Sequence, residues 1–198
     1  IRNMKNPIWI ILGILVLIGL MGVSQYNGLV SLSQNVDQTW SQVQNNYQRR
    51  ADLIPNLVNT VKGEAKFEQD TLTAVINARS KVGSFQVDSK VLSDPAQLQK
   101  FDQAQGDLGR ALSRLMVVVE KYPDLKANAG FRDLASQLEG TENRITVARR
   151  DFNTSVQGYN TKVKQFPAVL FAGMMGFQPR PYFTATTPGA DQAPEVKF

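Results

Sequence analysis

The chain has 198 residues, which is room for one ordinary domain and an additional segment. It contains no cysteine and no histidine, so disulfides, thiol chemistry, most zinc sites and the commonest general base near neutral pH are excluded. Its 22 basic and 17 acidic side chains are interspersed and give a net charge of +5. This pattern lacks the concentrated basic face of nucleic-acid-binding proteins, and we expect no nucleic-acid partner.

An apolar segment near the N-terminus predicts a membrane-spanning helix. Residues 8–23 contain nothing more polar than glycine, and residues 24–28 can lengthen this ~24 Å helix toward the ~30 Å thickness of the hydrocarbon core. Trp9 and Tyr26 bracket the run as interfacial aromatic anchors do. We expect residues 1–25 to be an uncleaved signal anchor. The alternative is a cleaved signal peptide, for which Gly22-Val23-Ser24 offers small residues.

Flanking charges predict the orientation of this anchor. Arg2 and Lys5 precede the apolar run, and the next basic residue is Arg49. Because positive charge is retained on the cytoplasmic side, we expect a cytoplasmic N-terminus. The remainder of the chain is then outside the cytoplasm.

Two helices are predicted next, over residues 26–53 and 55–82, because apolar residues recur at gaps of three and four in both ranges. Pro55 separates them, since proline disfavours helical geometry in the preceding residue and is tolerated in the first turn of a new helix. We therefore expect the chain to turn a corner at this proline.

Charged residues around Pro55 fit such a corner. Arg49 and Arg50 would end the first helix, where positive charge complements the helix dipole, and Asp52 would cap the second. The alternative is that these three residues form a polar site for a protein partner. Two charges on the apolar stripe of the second helix are further candidates for a partner-facing surface, namely Glu68 and Arg79.

The third and fourth helices are predicted over residues 94–121 and 128–166. Asp94-Pro95 supplies a cap followed by proline at the first helical position, and the apolar period of the fourth range has no proline within it. The apolar seam of the fourth helix meets a polar stretch, Thr141, Glu142, Asn143 and Arg144. We interpret this stretch as a polar layer that fixes register, and the alternative is a binding site.

Four apolar stripes joined by short connections predict an all-α fold with coiled-coil-like packing. We expect an N-terminal transmembrane helix that continues into an antiparallel four-helix bundle over residues 26–166. Since the first helix of such a bundle leaves the membrane, the fourth returns toward it.

The C-terminal residues 167–198 predict a short apolar segment and an extended tail. Residues 168–177 are uncharged and too short to span a membrane, so we expect them to lie in the headgroup layer, cap the bundle or pack on a neighbouring copy. The candidate contact residues are Val169, Leu170, Phe171, Met174, Met175 and Phe177. Residues 178–198 contain four prolines, and we expect a second subunit to hold them in extended form.

No spacing of residues predicts a catalytic, cofactor or metal site. Glu64 and Glu68 are four apart and would share a helix face suited to a hard cation, but we interpret them as exposed helix surface. No nucleophile stands at a recognisable spacing from a base. We therefore expect no cofactor, no metal and no enzymatic activity.

Five segments occur in an order that resembles the LemA family: YNGLV at 26–30, RRADLIPNLVNTVKG at 49–63, EKYPDLKAN at 120–128, LEGTENRITVARRDFN at 138–153 and FP at 166–167. The similarity extends from the anchor to about Gly176. The resemblance implies a membrane-anchored helical bundle outside the cytoplasm of a bacterium, without an established enzymatic activity. It also implies a connection with membrane organisation, magnetosome formation or membrane proteases.

Together these features predict a membrane scaffold. We expect a single-pass protein of the bacterial inner membrane that contacts lipid and self-associates as a homo-oligomer on the periplasmic or extracytoplasmic face. The alternative is an adaptor or regulator that binds another membrane protein, such as a membrane protease.

Overall fold

A computed structural model describes residues 7–64, 67–85 and 89–184. Arg2, Lys5 and the tail beyond Thr184 lie outside these ranges. Within them the secondary structure is helical and includes no strand, which confirms the all-α class. The helices are α1 (Pro7–Lys62), α2 (Gln69–Gly83), α3 (Pro95–Val119), α4 (Pro123–Ala127), α5 (Ala129–Lys164) and α6 (Ala168–Ala172), with a short 3₁₀ helix at Ser89–Leu92.

α1 is one continuous helix of 56 residues, about 84 Å long. Residues 8–21 expose their apolar side chains, and among the described residues α1 is the one helix long and apolar enough to cross a membrane, by length and composition. Burial against other elements begins at Gly22 and continues as far as Val61. The same helix therefore supplies the candidate membrane span and the first element of the packed region.

The corner predicted at Pro55 is wrong, because α1 passes through this proline without ending. Proline has no N–H to bond the carbonyl four residues earlier, which here belongs to Ala51. Arg79 of α2 replaces the missing donor, since its Nε donates to the Ala51 carbonyl at 3.1 Å. Ile54 and Leu57, on either side of the proline, are fully buried, so packing favours a continued helix.

α1 ends instead at Lys62, seven residues beyond the proline, and α2 begins at Gln69. As a result, α2 is much shorter than the helix predicted over residues 55–82. Arg49, Arg50 and Asp52 consequently lie within α1 and not at a helix end.

Side-chain caps begin both of the long helices that follow. The Asp94 carboxylate accepts from the backbone N–H of Ala96 at 2.9 Å, and α3 starts directly after it. The Asn128 side-chain oxygen accepts from the backbone N–H of Phe131 at 3.1 Å, at the start of α5. Both bonds satisfy donors that a helix N-terminus leaves without a partner within the helix.

α5 packs along α1, and α2 packs along α3. In the first pair, Asn35 Nδ2 donates to Ser155 Oγ at 3.2 Å, and Arg50 Nη1 donates to Glu142 Oε1 at 2.7 Å. Rising residue numbers in α1 thus meet falling numbers in α5. The C-terminal end of α5 is therefore the end nearest to the apolar run of α1.

The buried side chains form two clusters along this length. The proximal core, nearer to the apolar run, is rich in aromatic rings, and its rings are Trp40, Tyr47, Phe101, Phe152, Tyr159 and Phe183. The distal core is mainly aliphatic and includes Ile54, Leu57, Leu72, Val75, Leu108 and Leu115. α1, α3 and α5 contribute to both cores, whereas α2 contributes to the distal core and residue 183 to the proximal core.

Candidate functional site

The segment after α5 folds back beside the end of the apolar run. α6 contacts both α1 and α5. A Cβ added at Gly22 would stand 3.7 Å from the Phe171 ring, and the Phe177 ring meets Tyr26 edge to face at a centroid distance of 5.7 Å. These contacts place the segment at the boundary between the exposed and the packed parts of α1.

This segment exposes large apolar side chains while both of its alanines are buried. Ala168 and Ala172 are buried, and Phe171, Met175 and Phe177 are half-buried. We call the exposed residues the apolar patch: Phe166, Val169, Leu170 and Met174. Met174 is 88% exposed and Phe166 is 78% exposed. Exposed groups of apolar side chains mark surfaces that contact proteins or membranes.

The two candidate interfacial aromatics are both exposed. Trp9 lies near the start of α1, and Tyr26 lies where the packed region begins. They are separated along the helix by roughly 25 Å, a distance comparable with the thickness of a hydrocarbon core. Tyr26 also contacts the C-terminal segment through Phe177, so the end of the predicted anchor and this segment meet at Tyr26.

Arg50 is buried. This contradicts the alternative interpretation of the sequence, in which Arg50 faces a protein partner. Its side chain is 3% exposed. The guanidinium donates to Glu142 at 2.7 Å, to the Gln105 carbonyl at 3.1 Å and to the Gln105 side chain, and it lies over the Tyr47 ring. Arg50 therefore joins α1 to α3 and α5.

A second ion pair continues this polar cluster. Arg149 pairs with Asp102 at 2.7 Å and donates to the Tyr47 hydroxyl at 3.4 Å. Burial raises the pKa of the Asp102 carboxyl, and the Arg149 charge opposes that increase. Burial likewise raises the pKa of the Tyr47 hydroxyl. These groups bond one another, and within the described ranges no group of three or more side chains is arranged to hold a metal.

The predicted polar layer on α5 divides into buried and exposed residues. Thr141 is fully buried, and its hydroxyl donates to the Gln137 carbonyl at 2.7 Å. Glu142 pairs with Arg50, as described above. Asn143 and Arg144 are exposed and lie outside the polar cluster.

The remaining candidate residues lie on the surface of the distal half. Arg49 is exposed, and the exposed Asp52 accepts from Gln48 Nε2 at 2.7 Å within the same helix. Glu68 is exposed and precedes α2 without capping it, whereas Glu64 is in the preceding turn. The two glutamates therefore do not share a helix face, contrary to the expectation.

Residues 178–184 run alongside α5 on its α1 side, a contact that the sequence reasoning missed. The backbone of Arg180 bonds the Asn160 side chain, and the backbone of Phe183 bonds the Asn153 side chain. Phe183 inserts into the proximal core and is 6% exposed. The chain's own α5 holds this part of the tail, and not a second subunit, while residues 185–198 lie outside the described ranges.

A groove of about 910 Å³ opens between α3, α4 and α5 in the distal half. Its apolar lining includes Leu112, Met116, Val119, Phe131 and Leu138. Glu120 and Lys126 stand at its edge and pair with each other at 2.5 Å. The groove is thus apolar inside and charged at the rim, as binding surfaces for proteins commonly are.

Comparison with known proteins identifies the family. A model of the LemA family matches residues 39–198. The chain belongs to the LemA family. This LemA match begins beyond the apolar run, so it does not depend on the candidate membrane span.

The relatives of this LemA chain include magnetosome proteins. It is 27% identical to magnetosome proteins MamQ 2 and MamQ 1 of Paramagnetospirillum magneticum, over 80% of this chain and 64% of theirs. It is 26% identical to magnetosome protein MamQ of Magnetospirillum gryphiswaldense, over 92% of this chain and 74% of the relative. The chain thus spans less than two thirds of the first two relatives.

A relative that carries the family name is the protein LemA of Metamycoplasma hominis. It is 25% identical over 73% of this chain and 62% of its own length. None of these names states a catalytic activity.

Proposed function

We propose that this LemA-family chain is a non-enzymatic scaffold that self-associates into a homo-oligomer on the extracytoplasmic face of the bacterial inner membrane. α1 anchors the chain in a single pass with the N-terminus in the cytoplasm. The packed region forms an antiparallel four-helix bundle in which α5 returns to the lipid surface. The magnetosome relatives support a role in organising a membrane structure.

The apolar patch is the observation that carries this proposal. Phe166, Val169, Leu170 and Met174 are exposed beside the end of the apolar run, where Phe171 contacts Gly22. Neighbouring copies anchored by α1 hold their patches at the same height. Association of two patches removes apolar surface from water, which stabilises the contact by about 25 cal/mol per Å² buried.

The test is the mass of the full chain in mild detergent. Leu170→Glu together with Met174→Glu places two charges on the patch, and we expect the oligomer to dissociate toward monomers. Val117→Glu is the matched control, because Val117 is also an exposed apolar residue but lies on α3. A wild-type monomer at micromolar concentration refutes self-association. A patch variant that keeps the wild-type mass refutes this surface as the contact.

Orientation is tested separately by labelling a single cysteine. The chain has no natural cysteine, and Arg49 is exposed, so Arg49→Cys reports which side of the membrane holds the packed region. We expect an impermeant maleimide to label this variant in intact spheroplasts. Labelling that requires lysis places the packed region in the cytoplasm and contradicts the proposal.

The distal groove favours a second candidate function, an adaptor that binds another membrane protein such as a membrane protease. The groove combines apolar lining from Leu112, Met116 and Phe131 with a charged rim, and it lies away from the apolar patch. A photo-crosslinker at Met116 in living cells tests this function. Recurrent recovery of one membrane protein supports it, and recovery of self-contacts alone counts against it.

A further inference from the structure

Two asparagines on α5 bond the backbone of the tail in a reciprocal way. Asn160 Nδ2 donates to the Arg180 carbonyl at 2.8 Å, and the Arg180 N–H donates to Asn160 Oδ1 at 2.8 Å. Asn153 makes the same pair of bonds with Phe183, both at 2.9 Å. A side-chain amide offers one acceptor and two donors, so each asparagine satisfies both backbone groups of one tail residue.

The spacing of the two asparagines matches an extended peptide. Asn153 and Asn160 are seven residues apart on a helix, which corresponds to about 10.5 Å. Arg180 and Phe183 are three residues apart, which in extended chain spans about 10 Å. The asparagines therefore select an extended segment and fix its register, because a shift by one residue breaks both pairs of bonds.

Residues 178–184 lie in a groove between α5 and α1. The α1 wall of this groove carries a recognition site for the Arg180 side chain. Its guanidinium donates to Asp37 at 2.5 Å and to the Ser33 hydroxyl at 2.9 Å. It also lies over the Tyr159 ring of α5, 5.4 Å from the centroid. A charged acceptor, a hydroxyl and a ring face together suit an arginine better than a lysine.

The Phe183 side chain has a second site, in the proximal core. Its ring stacks on Trp40 at 5.9 Å and meets Phe152 edge to face at 5.4 Å. The Arg149 guanidinium covers its outer face at 4.4 Å from the centroid. The site therefore accepts a planar aromatic side chain whose outer face is covered by a guanidinium group.

We propose that the groove between α1 and α5 is a recognition site for an extended Arg-x-x-Phe peptide and that it accepts this segment from a second copy of the chain as well as from its own. The contacts involve two side chains and the backbone of residues 180–183, and none depends on how the segment is connected. This exchange of tails between copies rests on the self-association proposed above.

The connection to the tail is long enough for such an exchange. Eight residues lead from the end of α6 at Ala172 to Arg180, and in extended form they reach about 26 Å. That is more than twice the ~10 Å diameter of a helix. Gly173 and Gly176 lie in this connection, and Gly176 has a φ of +79°, a left-handed conformation that glycine adopts readily. In copies anchored side by side, the groove of a neighbour is then within reach.

The experiment uses two full-length chains that complement each other. The groove chain carries Arg180→Ala and Phe183→Ala, so its tail cannot bind, and the tail chain carries Asn153→Ala and Asn160→Ala, so its groove cannot. Thr146→Cys in the groove chain and Thr184→Cys in the tail chain introduce single cysteines at positions that line the same cavity. The two chains are co-expressed with different tags, and a bismaleimide is added to the membranes.

We expect a cross-linked heterodimer, since the intact tail of one chain enters the intact groove of the other. In the matched control, the tail chain also carries Arg180→Ala and Phe183→Ala, and we expect about tenfold less heterodimer. If the two chains share one oligomer by mass but give no heterodimer above the control, the exchange is refuted and the scaffold function stands. If both are monomers, both proposals are refuted.

A second measurement covers the case in which the tail chain does not fold. A labelled, end-capped peptide with the sequence of residues 178–184 is added to the groove chain in detergent. We expect saturable binding that weakens about tenfold when the peptide's arginine and phenylalanine are replaced by alanine. No binding to a groove chain with wild-type helicity refutes the recognition site.

Discussion

The proximal and distal cores share α1, α3 and α5 but are completed in different ways. The proximal core is built from aromatic rings and receives Phe183 from a segment that follows all of the helices. The distal core is built mainly from branched aliphatic side chains and is closed by α2 and α4. The continuous helix α1 thus contributes to one core whose packing includes the C-terminal segment and to another whose packing does not.

The largest effect expected is from Phe152→Ala in the proximal core. Phe152 is fully buried against Trp40 and Phe183, and its truncation is expected to reduce the free energy of unfolding by about 3–5 kcal/mol and to release the tail. Leu115→Ala in the distal core is the matched change. It is expected to reduce the free energy of unfolding by about 2–5 kcal/mol and to leave the tail bound.

Urea denaturation gives these free energies, and limited proteolysis by chymotrypsin after Tyr182 or Phe183 reports release of the tail. If both substitutions release the tail equally, the two halves are not independent, and the distinction between the cores fails.

The next effect concerns the polar cluster that joins the two cores. Arg50→Ala removes the donor to Gln105 and Glu142, and we expect a loss of about 1–3 kcal/mol in the free energy of unfolding. This loss is smaller than the about 3–5 kcal/mol typical of breaking a fully buried ion pair, because Glu142 is half-exposed and water can solvate it. Arg49→Ala is the matched control, and we expect a change within about 0.5 kcal/mol.

Thermal and urea unfolding followed by circular dichroism distinguish the two arginines. Equal effects of Arg49→Ala and Arg50→Ala contradict the assignment of Arg50 as the buried link from α1 to α3 and α5.

A smaller effect is expected where Arg79 compensates for Pro55 in the distal half. Arg79→Ala leaves the Ala51 carbonyl without its donor, and we expect a loss of about 1 kcal/mol in the free energy of unfolding. In a Pro55→Ala background, residue 55 regains an N–H that bonds Ala51, so the same substitution is expected to have an effect near zero. A double-mutant cycle measures this coupling, and additive effects contradict it.

The smallest effect is a pH dependence from Asp102. Because burial raises the pKa of this carboxyl in the folded state, the folded protein holds the proton more tightly than the unfolded chain does. The contribution of Asp102 to stability is therefore greatest below the unfolded pKa of about 3.9 and declines as pH rises toward the folded pKa. The measurement is the melting temperature as a function of pH. Asp102→Asn is expected to abolish the part of its decline that Asp102 causes, whereas the control Asp133→Asn, at an exposed position, retains that decline.

Helical periodicity was sufficient to predict the class of the fold and the two longest helices after α1, because each of them has a local cap and an uninterrupted apolar stripe. Asp94 and Asn128 act within four residues of the helix they begin. The apolar run was equally visible, since it requires no tertiary partner. The family could be recognised from short segments in order.

The break predicted at Pro55 was wrong because the rule for proline considers the chain locally. The compensating donor, Arg79, comes from a different helix, and its contact with Ala51 spans 28 residues. The burial of Arg50 had a visible signal that was misread: it lies three residues after Tyr47 and four before Ile54, on the same apolar stripe. A charged residue at a stripe position predicts a buried pair as well as a helix end.

The docking of the tail was the part least accessible to sequence reasoning. Arg180 contacts Asp37 across 143 residues, and such a pairing has no local pattern. Two asparagines seven apart on one helix face were the available sign, but asparagine on a long helix is ordinarily read as solvent-exposed polar surface.

With α1 in the membrane as proposed above, its unbroken course makes the packed region a rigid extension of the span. About 55 Å of helix separates Tyr26 from Lys62, so a change of roughly 10° in the inclination of the span displaces the far end by about 10 Å. A change in bilayer thickness that is accommodated by tilting of the span would thereby be converted into lateral displacement of the distal groove.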